Sequence, residues 1–214
     1  MLPLYDESHF KNRTPWAVSF LIVLNTVIFF VSLPDLGGFI DLYGLSPRDF
    51  LSGRNNFAAV SSFFLHAGFW HLLGNMWFLW IFGANVERKL GGFNFLAFYL
   101  ACGLGSVLLY SLAAVNKDIP VIGASGAVSG ILGGYLVFFP RNKIKSLVPL
   151  VFIWTIISIP AIFFISAWFI LQFASLVLDA GGMVAYWSHV GGFAAGFFLA
   201  KLIKFFKTVK LISS

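Results

Sequence analysis

The stretch Gly123-Ala-Ser-Gly-Ala127 stands at the head of an apolar segment that runs to Phe139. Two interpretations fit a serine between glycines at such a place. The commoner one is packing, because small residues let two helices approach closely in a membrane. The other is that Ser125 is a nucleophile held within the bilayer, which requires a base from another helix. The rest of the chain has to supply that base before the second interpretation is preferred.

The composition indicates a membrane protein that crosses the bilayer several times. Hydrophobic residues make up 59% of the 214 residues, charged residues make up 10%, and the mean hydropathy is +0.91. A soluble domain would carry about 25% charged residues. Cys102 is the single cysteine, which excludes an intrachain disulfide. The first apolar run begins at Trp16 and lacks a small-residue cleavage site at its end, so a cleavable signal peptide is not expected.

Six stretches are long and apolar enough to be candidate spans, since crossing a bilayer takes about 20 residues. They are Trp16–Leu33, Ala67–Ala84, Phe93–Ala114, Ile119–Phe139, Leu147–Leu178 and Met183–Ala200. The fifth is too long for a simple span and contains Pro149 and Pro160. Because proline removes a backbone donor and bends a helix, this segment is predicted to be a kinked or tilted helix with an interfacial end. The predicted fold class is all-α, a bundle of six transmembrane helices.

The distribution of Lys and Arg predicts the orientation of these segments. With both termini in the cytoplasm, the outer loops hold only Arg48, Arg54 and Lys117. The cytoplasmic flanks then hold the other eleven, which are Lys11, Arg13, Arg88, Lys89, Arg141, Lys143, Lys145, Lys201, Lys204, Lys207 and Lys210. The net charge of +6 is therefore interpreted as an anchor to anionic lipid, and nucleic acid is not an expected partner.

The chain is divided into three parts on this basis. Residues 1–15 are a short cytoplasmic lead-in, flexible or interfacial; residues 16–206 form the six-helix domain; residues 207–214 form a basic tail. Lysines every three residues from Lys201 onward predict a basic helical face along the membrane surface. The long outer loop, Pro34–Ala59, carries enough apolar residues to pack partly in the outer leaflet.

Ionisable side chains within spans are costly, so each one suggests a functional site. His71 and Asn75 are four residues apart and share one helical face. His66, five residues before His71, is expected at the outer start of the second segment, pointing elsewhere. His189 is expected about two turns into the sixth segment, which enters from the outer side. Topology then places Ser125, His71, Asn75 and His189 at a similar depth below the outer surface.

Two alternatives to a catalytic role for the histidines remain open. His66, His71 and His189 could form a three-histidine zinc site. Against a metal, no carboxylate or cysteine lies at that depth, and the spacing of His66 and His71 does not put both on one face. Alternatively the histidines only make hydrogen bonds between helices, an explanation that is ranked second because three segments carry polar residues at one depth.

The glycines supply the geometry that a serine–histidine pair needs. Gly126, Gly130 and Gly134 recur every four residues, and Gly192 and Gly196 do so after His189; small residues in such rows allow close helix approach. A serine–histidine hydrogen bond requires about 2.6–3.2 Å between heavy atoms, which bulky side chains between the helices would prevent. Packing and chemistry are therefore compatible interpretations.

Four motifs in this order resemble the rhomboid family of intramembrane serine proteases. The resemblance covers nearly all of the chain from Trp16 to Ala200. The motifs are His66, His71 and Asn75 (His-x4-His-x3-Asn); Gly83, Glu87 and Gly91 (Gly-x3-Glu-x3-Gly); Gly123 and Ser125 with Gly126 (Gly-x-Ser-x); and His189, Gly192 and Gly196 (His-x2-Gly-x3-Gly). Each motif alone is weak, but four on the matching segments are specific.

The resemblance implies a Ser125–His189 dyad that needs no metal or cofactor. It implies that His71, Asn75 and the backbone N–H of Ser125 stabilise the oxyanion, and that Glu87 is structural, capping or orienting the cytoplasmic end of the second segment. The fifth segment and the loop Asp179–Val184 would form a gate and cap. Substrates would be single-span membrane proteins, cleaved in a plasma (inner) membrane at a site that opens to the outer side.

Two departures from the family pattern affect details of this site. The family usually has an aromatic residue four positions after the nucleophile, where this chain has Ser129. Tyr186 or Trp187 is expected to hold His189 in its place, and Ser129 is itself a decoy nucleophile. The outer loop also lacks the family's Trp-Arg pair, with Phe57 near the aromatic position, which puts loop anchoring in question.

Two other functions are weighed against proteolysis. A non-catalytic relative would bind transmembrane helices in membrane-protein quality control without cleaving them, although such relatives lose the serine or the histidine and this chain keeps both. A transporter or channel with a histidine relay would show proton-coupled flux, but the chain has no inverted repeat.

Overall fold

The computed structural model describes residues 1–7, 14–114, 116–150, 153–178 and 185–212. These residues are mostly helical, with one small antiparallel sheet. The helices are α1 (Trp16–Ser32), α2 (Leu36–Tyr43), α3 (Pro47–Leu51), α4 (Ala58–Ser61), α5 (Phe69–Phe78), α6 (Ala84–Leu90), α7 (Gly92–Ala113), α8 (Ser125–Phe138), α9 (Ala161–Leu178) and α10 (Tyr186–Ile212). The strands are β1 (Leu2–Asp6), β2 (Lys143–Leu150) and β3 (Ile153–Pro160).

Three continuous helical stretches of the described chain are long and apolar enough to cross a membrane. They are Trp16–Tyr43, Gly92–Ala113 and Tyr186–Val209. Two further apolar helices, Ser125–Phe138 and Ala161–Ser175, are shorter. Helices α5 and α6 are joined by a π-helical turn at Leu79–Gly83, so the second predicted segment is helical from Phe69 to Leu90. The protein is therefore a mostly helical integral membrane protein.

Helix α8 begins later than the sequence predicted, at Ser125 instead of Ile119. The residues before it are not helical, and Val121 pairs its backbone with Leu45 in an isolated antiparallel bridge. At a rise of about 1.5 Å per residue, a 14-residue helix measures roughly 21 Å, less than the roughly 30 Å of a bilayer core. Helix α8 alone is therefore too short to span the core.

The fifth predicted segment differs most from its predicted structure, because its first part is not helical. Strands β2 and β3 pair as an antiparallel hairpin in the sheet order β1-β2-β3, and helix α9 starts only at Ala161. Pro160 is the last residue of β3 and precedes α9 directly, so it does not kink a helix. Four apolar side chains of β3 are exposed: Ile153, Trp154, Ile156 and Ile157.

The lead-in was expected to be flexible or interfacial, but part of it is an ordered strand. β1 pairs with β2, with Leu2 opposite Leu147. The carboxylate of Asp6 accepts hydrogen bonds from Tyr135 and Asn85, which ties the strand to the helical bundle. In addition, the indole N–H of Trp77 donates to the carbonyl of Pro3 at 2.7 Å. The N-terminal strand is thus part of the fold.

The long loop Pro34–Ala59, predicted to lie on the outer side, contains the two short helices α2 and α3 and the first residues of α4. Leu45, Ala58, Ala59 and Phe63 form a small buried cluster with Val107 of α7, which attaches the loop to the bundle. A second attachment is the exposed ion pair between Arg48 and Asp118, where hydrogen bonding to the guanidinium lowers the pKa of the carboxyl.

Helices α8 and α10 cross at backbone contact. A β-carbon on Gly192 would overlap the carbonyl oxygen of Gly126, and one on Gly196 would overlap that of Gly130. Gly134 faces a different neighbour, because a β-carbon there would lie 2.7 Å from the ring of Phe98 on α7. Four of the five predicted small residues therefore form the crossing of α8 with α10, and the fifth serves the packing of α7.

Glu87 is structural, but it caps a different helix from the one expected. Its two carboxylate oxygens accept hydrogen bonds from the backbone N–H groups of Ala17 (3.0 Å) and Val18 (2.8 Å) in the first turn of α1. These donors have no partner within their own helix, and a negative charge at a helix N-terminus is stabilising. The buried carboxylate thus attaches α1 to α6. The sequence had instead predicted that Glu87 caps or orients the end of the second segment.

Helix α10 extends well past the predicted end of the sixth segment. It continues from Tyr186 to Ile212 without a break, so the basic lysines lie on the same helix as His189. The ammonium of Lys201 sits over the ring of Phe197, 4.7 Å from its centroid, a cation–π contact near the end of the apolar part.

Candidate active site

One cavity of about 590 Å³ is lined by the four residues that were predicted to form the site, Ser125, His189, His71 and Asn75. They come from three helices: Ser125 from α8, His189 from α10, and the other two from α5. The walls are mainly apolar, with Phe78, Trp168 and Leu132 among the lining residues. Concave and mostly apolar sites with a few convergent polar groups are typical of binding and catalysis.

Ser125 is the first residue of helix α8, which gives it a particular electrostatic environment. The first N–H groups of a helix lack intrahelical acceptors, and the aligned peptide dipoles make this end positive. Gly123 has φ of +118°, which favours glycine, and its N–H donates to the carbonyl of Ser62 at 2.8 Å. This turn places the half-buried Ser125 at the N-terminus of the helix, where backbone N–H groups can act as donors.

His71 approaches the same turn from α5. A β-carbon on Gly123 would lie 2.7 Å from Nε2 and Cε1 of the His71 ring, so only glycine fits there without displacing the ring. The backbone N–H of Ala67 is directed at Nδ1 of His71 at 3.4 Å. With Nδ1 accepting, the proton of a neutral ring is on Nε2, the nitrogen that faces Gly123.

Asn75 lies one turn further along α5 and is buried. Its side-chain Nδ2 donates to the carbonyl of His71 at 3.0 Å. An amide nitrogen carries two hydrogens, so one donor remains for a group in the cavity. His71 and Asn75 are therefore on one face, as their spacing predicted.

His66 was expected to point away from His71, which is wrong. Its ring packs edge-on against the ring of His71, with 5.0 Å between the centroids. The helical phase argument failed because His66 precedes α5, which starts at Phe69. His66 is fully buried and packs against the His71 ring.

His189 lies in the first turn of α10, which begins at Tyr186, and not about two turns into the segment as predicted. Met183, the predicted start of that segment, lies outside the described residues. Tyr186 contacts the His189 ring edge-on at 6.1 Å between centroids, in agreement with one of the two expected replacements for the family's aromatic residue. Trp187, the other expected replacement, is partly exposed. Among the described residues, the rings of Tyr186 and Trp168 contact that of His189.

Two side chains of α9 contact His189 although the sequence did not predict them as site residues. The ring of Trp168 lies 6.3 Å from that of His189, and Gln172 Oε1 lies 2.8 Å from His189 Nδ1. Gln172 could have been found by the rule applied to the histidines, because it is a polar side chain within an apolar segment. Trp168 offered no such signal, since tryptophan is ordinary in a membrane helix.

Ser129 has a different environment from Ser125. Its hydroxyl donates to the carbonyl of Ser125 at 2.7 Å, the usual bond of a helical serine to the residue four positions earlier. The side chain is 1% exposed, although it borders the cavity wall. A hydroxyl committed to a backbone carbonyl is a poor nucleophile candidate.

The three-histidine zinc site finds no support among the residues that the structure describes. In that part of the chain no three His, Cys, Asp or Glu side chains are grouped so that they could hold a metal ion. The loop Asp179–Val184, which the resemblance assigned to the cap, lies outside the described residues.

Comparison with known proteins gives consistent matches. A family model described as the rhomboid domain matches residues 54–204. Rhomboid protein 1, mitochondrial, of Saccharomyces cerevisiae is 31% identical over 200 residues, covering 88% of this chain and 54% of the yeast protein. Rhomboid protease GluP of Bacillus subtilis is 31% identical over 202 residues, covering 91% of this chain and 36% of that protein.

A plant relative is similar to the same extent. RHOMBOID-like protein 4 of Arabidopsis thaliana is 29% identical over 222 residues, covering 89% of this chain and 53% of the plant protein. The chain spans about half or less of the length of these curated relatives. The domain match and the identity shared across most of the chain show that this integral membrane protein belongs to the rhomboid family.

Proposed function

We propose that this protein is an intramembrane serine endopeptidase that cleaves transmembrane segments of single-span membrane proteins with a Ser125–His189 dyad. The observation that carries the proposal is that Ser125, His189, His71 and Asn75 line the same cavity. It is supported by membership of a family in which the Bacillus subtilis relative is named a protease.

The chemistry follows from the groups around the cavity. Ser125 Oγ attacks the scissile carbonyl carbon while its proton passes to Nε2 of His189. The carbonyl oxygen becomes an oxyanion that accepts hydrogen bonds from His71 Nε2, Asn75 Nδ2 and the backbone N–H of Ser125. Removing one such donor typically costs about 10²–10³ in rate.

Collapse of this intermediate expels the amine, which takes the proton back from His189. The acyl group remains on Ser125 until a water molecule, deprotonated by His189, releases it. No step needs a metal or another cofactor. Since a spanning helix hides its own peptide bonds, substrates with small residues next to a stretch of weak helix are expected to unwind into the cavity most readily.

The proposal includes the arrangement in the membrane. Six segments cross the bilayer, both termini are cytoplasmic, and the site opens to the outer side of a plasma (inner) membrane. The short length of α8 supports a site below the outer surface, because a helix that does not span the core can begin within it. The same proposal places the six transmembrane segments within residues 16–206, with strand β1 before these limits and the basic end of α10 after them.

The partners follow from this arrangement. They are single-span membrane proteins as substrates and membrane lipid as the surrounding solvent, with no nucleic acid. The exposed apolar residues of α9, such as Phe163 and Ile170, support contact with lipid along the helix that the family analogy assigns to the gate.

The test is a reconstituted cleavage assay with a generic single-span substrate. Wild type is compared with Ser125→Ala, Ser129→Ala and His189→Ala, and a fluorophosphonate probe is mapped by mass spectrometry. We expect cleavage and labelling of Ser125 in wild type, loss of both in Ser125→Ala and His189→Ala, and retention in Ser129→Ala. Cleavage that survives in Ser125→Ala would sink the assignment. Binding of transmembrane helices without cleavage or labelling would support the non-catalytic alternative instead.

A further inference from the structure

The carboxamide of Gln172 is the polar group that meets the candidate base from a third helix. It belongs to α9, an apolar helix from Ala161 to Leu178, and is half-buried. Its Oε1 lies 2.8 Å from Nδ1 of His189, a normal hydrogen-bond distance. Ser125, His189 and Gln172 thus come from α8, α10 and α9, three separate helices.

This contact bears on which nitrogen of His189 can act as a base. An amide oxygen only accepts hydrogen bonds, so a neutral imidazole paired with it carries its proton on Nδ1. Nε2 is then left with a free lone pair, which is the requirement for removing a proton from a serine hydroxyl. The pairing also restricts rotation of the ring about its bond to the chain.

The other described neighbours of His189 do not replace this contact. Tyr186 and Trp168 meet the ring through their aromatic faces or edges, and an indole N–H can only donate. His71 lines the same cavity from α5. Ser129, where the family pattern has an aromatic residue, bonds to the carbonyl of Ser125.

We propose that Gln172 is the positioning residue of the base, and that its carboxamide oxygen orients His189 within the Ser125–His189 dyad. The proposal rests on the proposed function. Gln172 touches no reacting atom and stays neutral throughout. It accepts a hydrogen bond from Nδ1–H while Nε2 takes the serine proton and later returns it to the leaving amine. Triads in which a third group orients the histidine follow the same logic.

The test compares two substitutions of Gln172 with a matched control on the same helix. Gln172→Met has a similar shape but no acceptor, whereas Gln172→Glu keeps an acceptor oxygen in the same place. Leu171→Met introduces the same residue at a neighbouring side chain that is 62% exposed. For each variant, kcat and KM are measured with the single-span substrate, and the rate of fluorophosphonate labelling of Ser125 is measured without substrate.

We expect Gln172→Met to lower kcat about tenfold with KM unchanged, because a single net hydrogen bond that orients the base is lost. The labelling rate should fall in parallel, and the melting temperature should stay near that of wild type. Gln172→Glu should recover most of the lost kcat, and Leu171→Met should match wild type. A purely structural role would not give this recovery or the separation of kcat from KM.

Several outcomes would overturn the inference. Wild-type kcat and labelling rate in Gln172→Met would show that the contact does not orient the base, and so would an equal loss in a folded Gln172→Glu. If Gln172→Met does not fold, Gln172→Leu takes its place in the same comparison. Absence of cleavage and labelling in wild type would instead contradict the proposed function, so the two failures are distinguishable.

Discussion

Gly192→Ala should move Ser125, the proposed nucleophile, away from His189, its proposed base, without altering either residue. The new β-carbon would lie 2.7 Å from the carbonyl carbon of Gly126, whereas ordinary contacts begin at 3.4 Å. The backbones of α8 and α10 must therefore move apart by 0.7 Å or more. A misplacement of about 1 Å in an active site can cost on the order of 10²-fold in rate. We expect kcat/KM to fall about 10- to 100-fold, with a loss of stability of about 1–3 kcal/mol from overpacking.

The assay is cleavage of the reconstituted substrate together with fluorophosphonate labelling of Ser125. Gly134→Ala is the control on α8, because its β-carbon meets the movable ring of Phe98 and not the backbone of α10. A second control, Gly37→Ala, adds a methyl group where nothing lies within 4 Å. Cleavage and labelling by Gly192→Ala at the rates of Gly134→Ala would refute the idea that backbone contact sets the distance between serine and histidine.

Three further outcomes are expected. Ser129→Ala should keep kcat/KM close to wild type because its hydroxyl serves the Ser125 carbonyl, and a loss as large as that of Ser125→Ala would contradict this. Glu87→Ala should lower the stability measured by thermal melting by about 1.5–3 kcal/mol for each charge-assisted bond to α1, and an unchanged melting temperature would exclude that cap. Arg48 lowers the pKa of Asp118, so this pair contributes stability at neutral pH that is lost as the pH falls through the lowered value. The melting temperatures of wild type and Asp118→Asn should therefore converge in acid, with only a small difference at pH 7 because both side chains are exposed; a difference that grows in acid would be inconsistent with this.

The parts of the site that the sequence predicted are those fixed by membrane physics. Polar side chains in apolar segments are rare, so Ser125, His71, Asn75 and His189 could be selected and assigned a common depth. The structure has all four on one cavity, and their catalytic roles stay predictions. Gln172 is also a polar side chain within an apolar segment, but it was not selected, because the helical start of that segment was predicted wrongly.

The hairpin could not be predicted from hydropathy. A continuous apolar run fits a buried strand as well as a helix, and periodicity does not separate the two. The β-branched residues Ile153, Thr155, Ile156 and Ile157 favour a strand, and Pro149 disfavours a helix. The role of Glu87 was missed for another reason: its partners are about 70 residues away in sequence, and only packing brings them together.

The pairing of β1 with β2 has a consequence for the order of assembly. Leu2 is made well before Leu147, its partner in the sheet. At about 5–20 residues per second, synthesis of the intervening chain takes roughly 7–29 s. Pairing between residues so distant in sequence is slow because the chain must close a long loop first. Strand β1 therefore stays unpaired while the helices between the two strands form. We expect its pairing with β2 to be a late step of folding, which stabilises the assembled helical bundle.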